Sequence, residues 1–252
     1  MVSVVIIGAG NVAYHLSKAI QKINGFEVVQ IFNRTLSNID DSLNNISTTN
    51  NPEKIVTANL YIIAVSDDFI ETVSNYLLDK NGLVVHTSGS TSVKALNKHN
   101  NYGVFYPLQT FSKSRDIDFS TIPVCIEANT EKNYTLLNKL GNALSNDVRA
   151  VSSSQRKGLH LAAVFVCNFV NHLYAMGANV CKENDLPFEV LKPLILETAN
   201  KVMGLHPSEA QTGPAKRNDK KTMKNHLKAL DNKEHKKIYK LLSKAIKNTY
   251  EL

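Results

Sequence analysis

Residues 8–13 read Gly-Ala-Gly-Asn-Val-Ala, directly after the apolar run 2–7 and before an amphipathic stretch carrying Val12, Leu16, Ile20 and Ile23 on one face. Two glycines at that spacing, between a strand and a helix, suit one chemistry above others: the grip of linked phosphates. Gly8 permits a tight turn, Gly10 lets a diphosphate approach the backbone without meeting a Cβ, and Ala13 lets the helix pack close to the strand. Asn11 and Val12 then open a helix whose unpaired amides and partial positive charge face the anion. A glycine-rich corner with no ligand would use the same letters, so the next strand end has to discriminate.

That strand ends Phe32-Asn33-Arg34-Thr35. An NAD site normally places Asp or Glu at this tip to hold the ribose 2′-OH. Here there is none, and Glu27 sits at the wrong end of the strand. A guanidinium at Arg34, with the hydrogen-bonding groups of Asn33 and Thr35 beside it, suits a 2′-phosphate dianion and leaves no carboxylate to repel it. The expected cofactor is NADP(H). Two further strand ends point to the same crevice. Ala64-Val65-Ser66 leads into Asp67-Asp68, where Ser66 and Asp67 either cap a helix or lie along the cofactor. Thr87-Ser88-Gly89-Ser90 is either turn chemistry or a set of hydroxyl donors to a substrate, and Tyr106–Thr110 ends the following strand in the same way.

A second polar set lies in the long apolar stretch after Ser153. At about 100° per residue, Lys157, His160, Asn168 and Asn171 fall on one stripe together with Val164. Such a stripe is either an internal hydrogen-bond network or the wall of a ligand cleft. Next to a nucleotide site, His160 is the candidate proton donor, since imidazole titrates near neutrality, and Asn168 and Asn171 would orient the substrate. His172 lies just off the stripe. In the loop 212–219, Lys216 and Arg217 are either an anion clamp for a substrate carboxylate or cofactor phosphate, or ordinary residues before a helix capped by Asp219. No metal site is expected: Cys125, Cys167 and Cys181 are odd in number, lack a Cys-x-x-Cys spacing and read as inert core thiols.

These residues need elements to hold them. Short β-branched runs at 2–7, 27–32, 60–65, 83–86, 103–106, 123–127 and 148–151 are mostly continuously apolar, as strands covered on both faces are. Helical patterns at 12–23, 69–78 and 133–145 alternate with them, which predicts an α/β fold with a Rossmann-type, mostly parallel sheet. After Val151 only helices follow: a long one from about Ser153 to Lys182, another at about 188–203, and basic amphipathic ones at 219–230 and 232–249. The expected division is a dinucleotide-binding domain, 1–152, and an all-helical domain, 153–252.

Composition bounds the partners. With 252 residues, 43% hydrophobic and 20% charged, the chain has ample material for a folded core. The net charge of +7 sits at one end: from Thr212 onward there are twelve Lys/Arg against four acids. On 232–249 the lysines form one face and Ile238, Leu241, Leu242, Ala245 and Ile246 the other, which is a solvated helix face. A basic tail can also attract nucleic acid, but no aromatics interleave the lysines, so nucleic acid is not an expected partner. No basic segment precedes the apolar run at the start, and the longest clean apolar run, 161–167, is far short of a bilayer span, so a cytoplasmic protein without membrane association is expected.

The segments GAGNVA, FNRT, AVSDD, HTSGS, YPLQTF, LHLAAVFVCNFVNH and TGPAKRND together resemble a family of Rossmann-like NADP oxidoreductases whose C-terminal helical domain has no assigned function. The resemblance spans nearly the whole chain. Its architecture is similar to that of the 6-phosphogluconate dehydrogenase-like group, which includes pyrroline-5-carboxylate reductase and the 3-hydroxyacid dehydrogenases. It implies a long helix lining the active site, a homodimer through the helical domains, and NADP-dependent reduction of a small carbonyl or imine compound. One departure bears on mechanism. The 3-hydroxyacid dehydrogenases carry a catalytic Lys four residues before an Asn on this helix; Asn168 matches the Asn, but position 164 is Val. Proton transfer then falls to His160, or else the chain is an NADP-binding sensor or scaffold without redox turnover.

Overall fold

The apolar runs become strands because both their faces are covered. The computed structural model describes residues 1–251. It contains β1 (Val2–Ile7), β2 (Phe26–Phe32), β3 (Ser47–Thr49), β4 (Leu60–Ile63), β5 (Leu83–His86), β6 (Tyr102–Pro107), β7 (Val124–Ala128) and β8 (Val148–Ala150) in one sheet, ordered β3-β2-β1-β4-β5-β6-β7-β8. All neighbours run parallel except β6 and β7. The Rossmann-type, mostly parallel sheet expected from the sequence is present. The additional strand, β3, escapes sequence reading because Ser-Thr-Thr is short and polar and lies at the sheet edge, where one neighbour suffices.

Alternation along the strands divides the core in two. Val4, Ile6, Leu60, Ile62, Val85 and Phe105 face one layer, shared with α1 (Asn11–Ile20); Val5, Ile7, Tyr61, Ile63 and Val84 face the other, shared with α2 (Ile70–Ser74). α3 (Glu131–Leu144) joins the first layer through Leu137, Leu140 and Leu144. The expected helix at 69–78 is a short α2 flanked by 3₁₀ turns.

Ser152 opens the helical part with a capping box: its hydroxyl accepts the Gln155 amide while the Gln155 side chain accepts the Ser152 amide. α4 (Ser153–Ala163) comes next, then a π-helical turn (Val164–Phe169), α5 (Val170–Glu183), α6 (Lys192–Gly204), α7 (Pro207–Ala210), α8 (Lys220–Ala229) and α9 (Lys233–Thr249). By compactness the chain forms two units, residues 1–165 and 166 onward, so α4 goes with the sheet. The π turn corrects the sequence reading of the polar stripe. It holds one residue more than an α turn and rotates the residues after it by about 100°, so a constant period drawn from His160 to Asn168 and Asn171 does not hold across it. From sequence the longest apolar run is far short of a bilayer span, whereas the helix Ser153–Glu183 is long and apolar enough to cross a membrane, its most apolar 18-residue window having a mean hydropathy of 1.4. Its first part is nonetheless tied into the sheet unit by a fully buried arginine, Arg156.

Candidate nucleotide and proton-transfer site

Gly8 ends β1 with φ of +123°, and a Cβ there would collide with the Ala64 carbonyl oxygen. The first glycine is thus required both by the turn and by the end of β4 beside it. Nothing lies within 4 Å of where a Gly10 Cβ would stand, so the backbone is open to a ligand on that side. Ala13 is buried against the sheet, as the motif demands. The turn opens into a cavity of about 590 Å³ at the carboxyl ends of the strands, where open α/β sheets bind ligands.

The cavity wall gathers most of the residues named from sequence. Gly8, Gly10, Asn11, Val12, Asn33, Arg34, Ala64, Val65 and Ser66 line it, with Thr87, Ser88 and His160. Thr35 does not; it accepts the Asn33 side-chain amide on its backbone oxygen at 2.7 Å, which shapes the turn that presents Arg34. The Arg34 guanidinium lies 5.1 Å from the Phe69 ring centroid, also in the wall. Asn11 turns its amide to the Phe111 carbonyl at 2.9 Å, and His15 bonds the Ser112 carbonyl at 2.9 Å, so the segment after β6 is strapped to α1. These residues fit a dinucleotide: exposed amides at a helix start, a backbone open beside Gly10, and a guanidinium at the tip of β2.

Between Thr87 and Ser90 the backbone is governed by turn chemistry. Thr87 donates its hydroxyl to the Ile63 carbonyl at 3.3 Å, and the Ser88 hydroxyl accepts the amides of Ser90 and Thr91 at 3.1 and 2.9 Å. Ser88 keeps its own hydrogen to donate. Ser66 makes no side-chain cap bond, while Asp67 accepts the Ser90 hydroxyl and so joins the loops after β4 and β5.

Sequence reasoning missed the groups beneath this turn. Arg156, with no exposed surface, donates to the carbonyls of Ser88 (3.1 Å) and Thr91 (2.5 Å), to Ser153 Oγ (3.2 Å) and to Glu127 Oε2 (2.6 Å). Lys157, placed on the stripe from sequence, is exposed; its neighbour Arg156 faces the sheet, four residues before His160 and therefore on the same face of α4. His86 is buried below: its Nδ1 accepts the Ser88 amide at 3.2 Å, so Nε2 carries the hydrogen toward Ser92 O at 3.3 Å. Burial, and next the charge of Arg156, push its pKa down to about 4, so it is a neutral strut.

His160 reaches the same cavity from α4. Its Nδ1 lies 3.2 Å from the Tyr106 hydroxyl, at the end of β6, and Tyr106 lines the cavity too. Tyr106 is legible in the sequence only as a strand end; its pairing with His160 joins positions 54 residues apart.

The remaining expectations fall in the second unit. Asn168, Asn171 and His172 are exposed on and after the π turn. Lys216 stands 3.0 Å from the Tyr250 ring centroid, Arg217 is exposed, and Asp219 caps α8 by accepting the Thr222 amide and hydroxyl. Of the three thiols, Cys125 and Cys181 are buried as expected, but Cys167 is half-exposed on the π turn. Burial raises the Cys125 thiol. Among the described residues no group of His, Cys, Asp and Glu is placed to hold a metal ion.

Residues 122–246 match a domain of unknown function (DUF2520). No curated protein matches the chain in sequence. A candidate NADP oxidoreductase from Bacteroides fragilis has a similar structure, with 42% identity, 97% of each chain covered and a TM-score of 0.91. An imine reductase from Myxococcus stipitatus, solved with NADP⁺, shares the fold at 14% identity, covering 99% of this chain and 94% of its own, with a TM-score of 0.70. The pyrroline carboxylate reductase of Plasmodium falciparum, solved with NADP, shares it at 14% identity over 97% and 98% of the two chains, with a TM-score of 0.59. With its glycine turn, its arginine at the tip of β2 and near-complete alignment to the Bacteroides fragilis protein, the chain belongs to the family of Rossmann-like NADP oxidoreductases with a C-terminal helical domain.

Proposed function

We propose that the protein is an NADPH-dependent reductase of a small carbonyl or imine compound, with His160 as proton donor. The observation that carries the reading is one cavity wall holding the phosphate-binding turn, Arg34 and the His160–Tyr106 pair. The amides after Gly10 hold the diphosphate and Arg34 the 2′-phosphate. Bound NADPH supplies the hydride. His160 gives a proton to the carbonyl oxygen or imine nitrogen, and Ser88 offers a hydroxyl donor. The test has two steps. Calorimetry with NADPH and NADH measures binding, and NADPH oxidation is followed with 2-methyl-1-pyrroline, keto acids and aldehydes. His160→Gln should lower turnover by roughly 100-fold or more with NADPH affinity nearly unchanged; full turnover in that variant would refute the assignment.

Val164, standing where related dehydrogenases place a lysine, favours a second reading: an NADP-binding sensor or scaffold. It predicts NADPH binding with no oxidation against any compound of the screen. We also propose a homodimer formed through the helical unit, where Val166, Leu194, Leu196 and Met203 are 62% to 86% exposed. The same covering accounts for the apolar helix Ser153–Glu183 without a membrane, since a span would have to carry buried Arg156 and its carboxylate partner with it.

A further inference from the structure

The nitrogen that releases a proton from an imidazole is decided by what the other nitrogen holds. His160 Nδ1 is 3.2 Å from Tyr106 Oη, with the two rings nearly perpendicular at 75°. The pair is confined from below. A Cβ on Gly89 would stand 2.7 Å from His160 Nδ1, 2.8 Å from its Cγ and 2.9 Å from Tyr106 Cζ, so the two rings lie across the Cα of Gly89. The backbone under them is fixed in turn, because Arg156, one helical turn before His160, holds the carbonyls of Ser88 and Thr91. Three elements thus meet at one hydrogen bond: the end of β5, the end of β6 and the middle of α4.

We infer that Tyr106 is the positioning partner of His160: its phenol oxygen accepts the Nδ1 hydrogen, so Nε2 is the nitrogen that carries and releases the proton. The inference rests on the reading of His160 as proton donor. In the reduction, the substrate carbon takes hydride from NADPH, which is oxidised to NADP⁺. The oxygen or nitrogen of the reduced double bond takes the Nε2 proton, and water restores it. Nδ1 keeps its hydrogen on Tyr106 before and after transfer, so the ring loses a proton without turning. Were the bond reversed, the neutral ring would carry its hydrogen on Nε2, the form free histidine prefers, and Nδ1 would be the basic atom, turned away from any substrate.

Long-range proton–nitrogen correlation spectra of the full chain with ¹⁵N-labelled histidine decide between the two. They are recorded in alkaline buffer, with His160→Gln to identify the signal. The wild-type ring is expected in the Nδ1–H form. Tyr106→Phe, which removes only the hydroxyl, and Gly89→Ala, which keeps both groups but pushes them apart, are each expected to return the ring mainly to Nε2–H. A wild-type ring in the Nε2–H form, or an Nδ1–H form that survives Tyr106→Phe, overturns the inference. The outcome is separable from that of the turnover measurement: if His160→Gln retains full turnover while the wild-type ring is Nδ1–H, the positioning of the ring stands and the proton-donor reading falls.

Discussion

At the scale of single residues, the cofactor half of the site is written in consecutive letters. A phosphate turn needs glycines at fixed spacing between a strand and a helix, and a 2′-phosphate needs a cation at the next strand tip; both requirements are local in the chain. In the proposed function Arg34, which lines the cavity wall at the tip of β2, meets the second one. Replacing it with Ala removes charge-assisted bonds worth about 1.5–3 kcal/mol in total, so NADPH should bind roughly 10- to 100-fold more weakly. NADH, which lacks the 2′-phosphate, should bind as before. Titration calorimetry of the variant with both coenzymes checks this, and an equal loss for the two would mean that Arg34 supports the fold or the adenine instead. Tyr106 and Gly89 are not legible in this way. Nothing in YPLQTF or HTSGS says that these positions meet an imidazole more than fifty residues later; that arises only from β5 and β6 being parallel neighbours whose ends lie side by side.

At the scale of elements, the sheet and most helices are readable because hydrophobic periodicity reports burial, and burial is what strands and helices share. The long helix is harder. Periodicity finds the polar stripe but cannot tell which flank faces the sheet, so it picks out exposed Lys157 in place of buried Arg156, and no letter announces a π turn. Arg156 makes the buried bonds that hold α4 to the strand ends, beside those of Ser153 and His160. Arg156→Met keeps volume but leaves the Ser88 and Thr91 carbonyls without their donor and Glu127 with the Ser153 hydroxyl and no cation, a loss of about 3–5 kcal/mol. In a chain of this length that should lower the melting temperature by on the order of 10 °C. Calorimetric scanning of wild type and variant measures it, and a shift of only a degree or two would show the cluster to be peripheral to stability.

His86 makes the same turn sensitive to acid. Folded, it titrates at about 4 rather than near its ordinary 6.5. Between those values the unfolded chain binds a proton that the folded chain refuses, so stability falls as pH drops through this window and is fully regained above it. The size is roughly 3 kcal/mol between pH 7 and pH 4. Urea unfolding across that range should show this slope in the wild type and a shallower one in His86→Asn, whose side-chain oxygen can still accept the Ser88 amide but does not titrate. Equal slopes would assign the acid sensitivity to other groups.

At the scale of the whole molecule, what remains is an imbalance between the two units. The sheet unit buries its apolar residues on both faces, with Val4, Val5, Ile62, Ile63, Val84 and Val85 fully inaccessible. The helical unit leaves Val166, Leu173, Leu194, Leu196, Val202 and Met203 exposed, and apolar side chains clustered in solvent mark interaction surfaces. Burying such side chains yields about 1.5–3 kcal/mol each, and a second copy presenting the same face supplies matching surface at no cost in specificity. Light scattering coupled to gel filtration should give twice the chain mass of 27.9 kDa at micromolar concentration. A charge placed on α6, as in Leu194→Lys with Leu196→Lys, should shift the population to monomer, because both positions are already exposed in the single chain and the charges are buried only in the pair. A wild-type chain that runs as a monomer throughout would leave the apolar helices uncovered, and detergent-dependent solubility would then assign their cover to a lipid surface instead of a second copy.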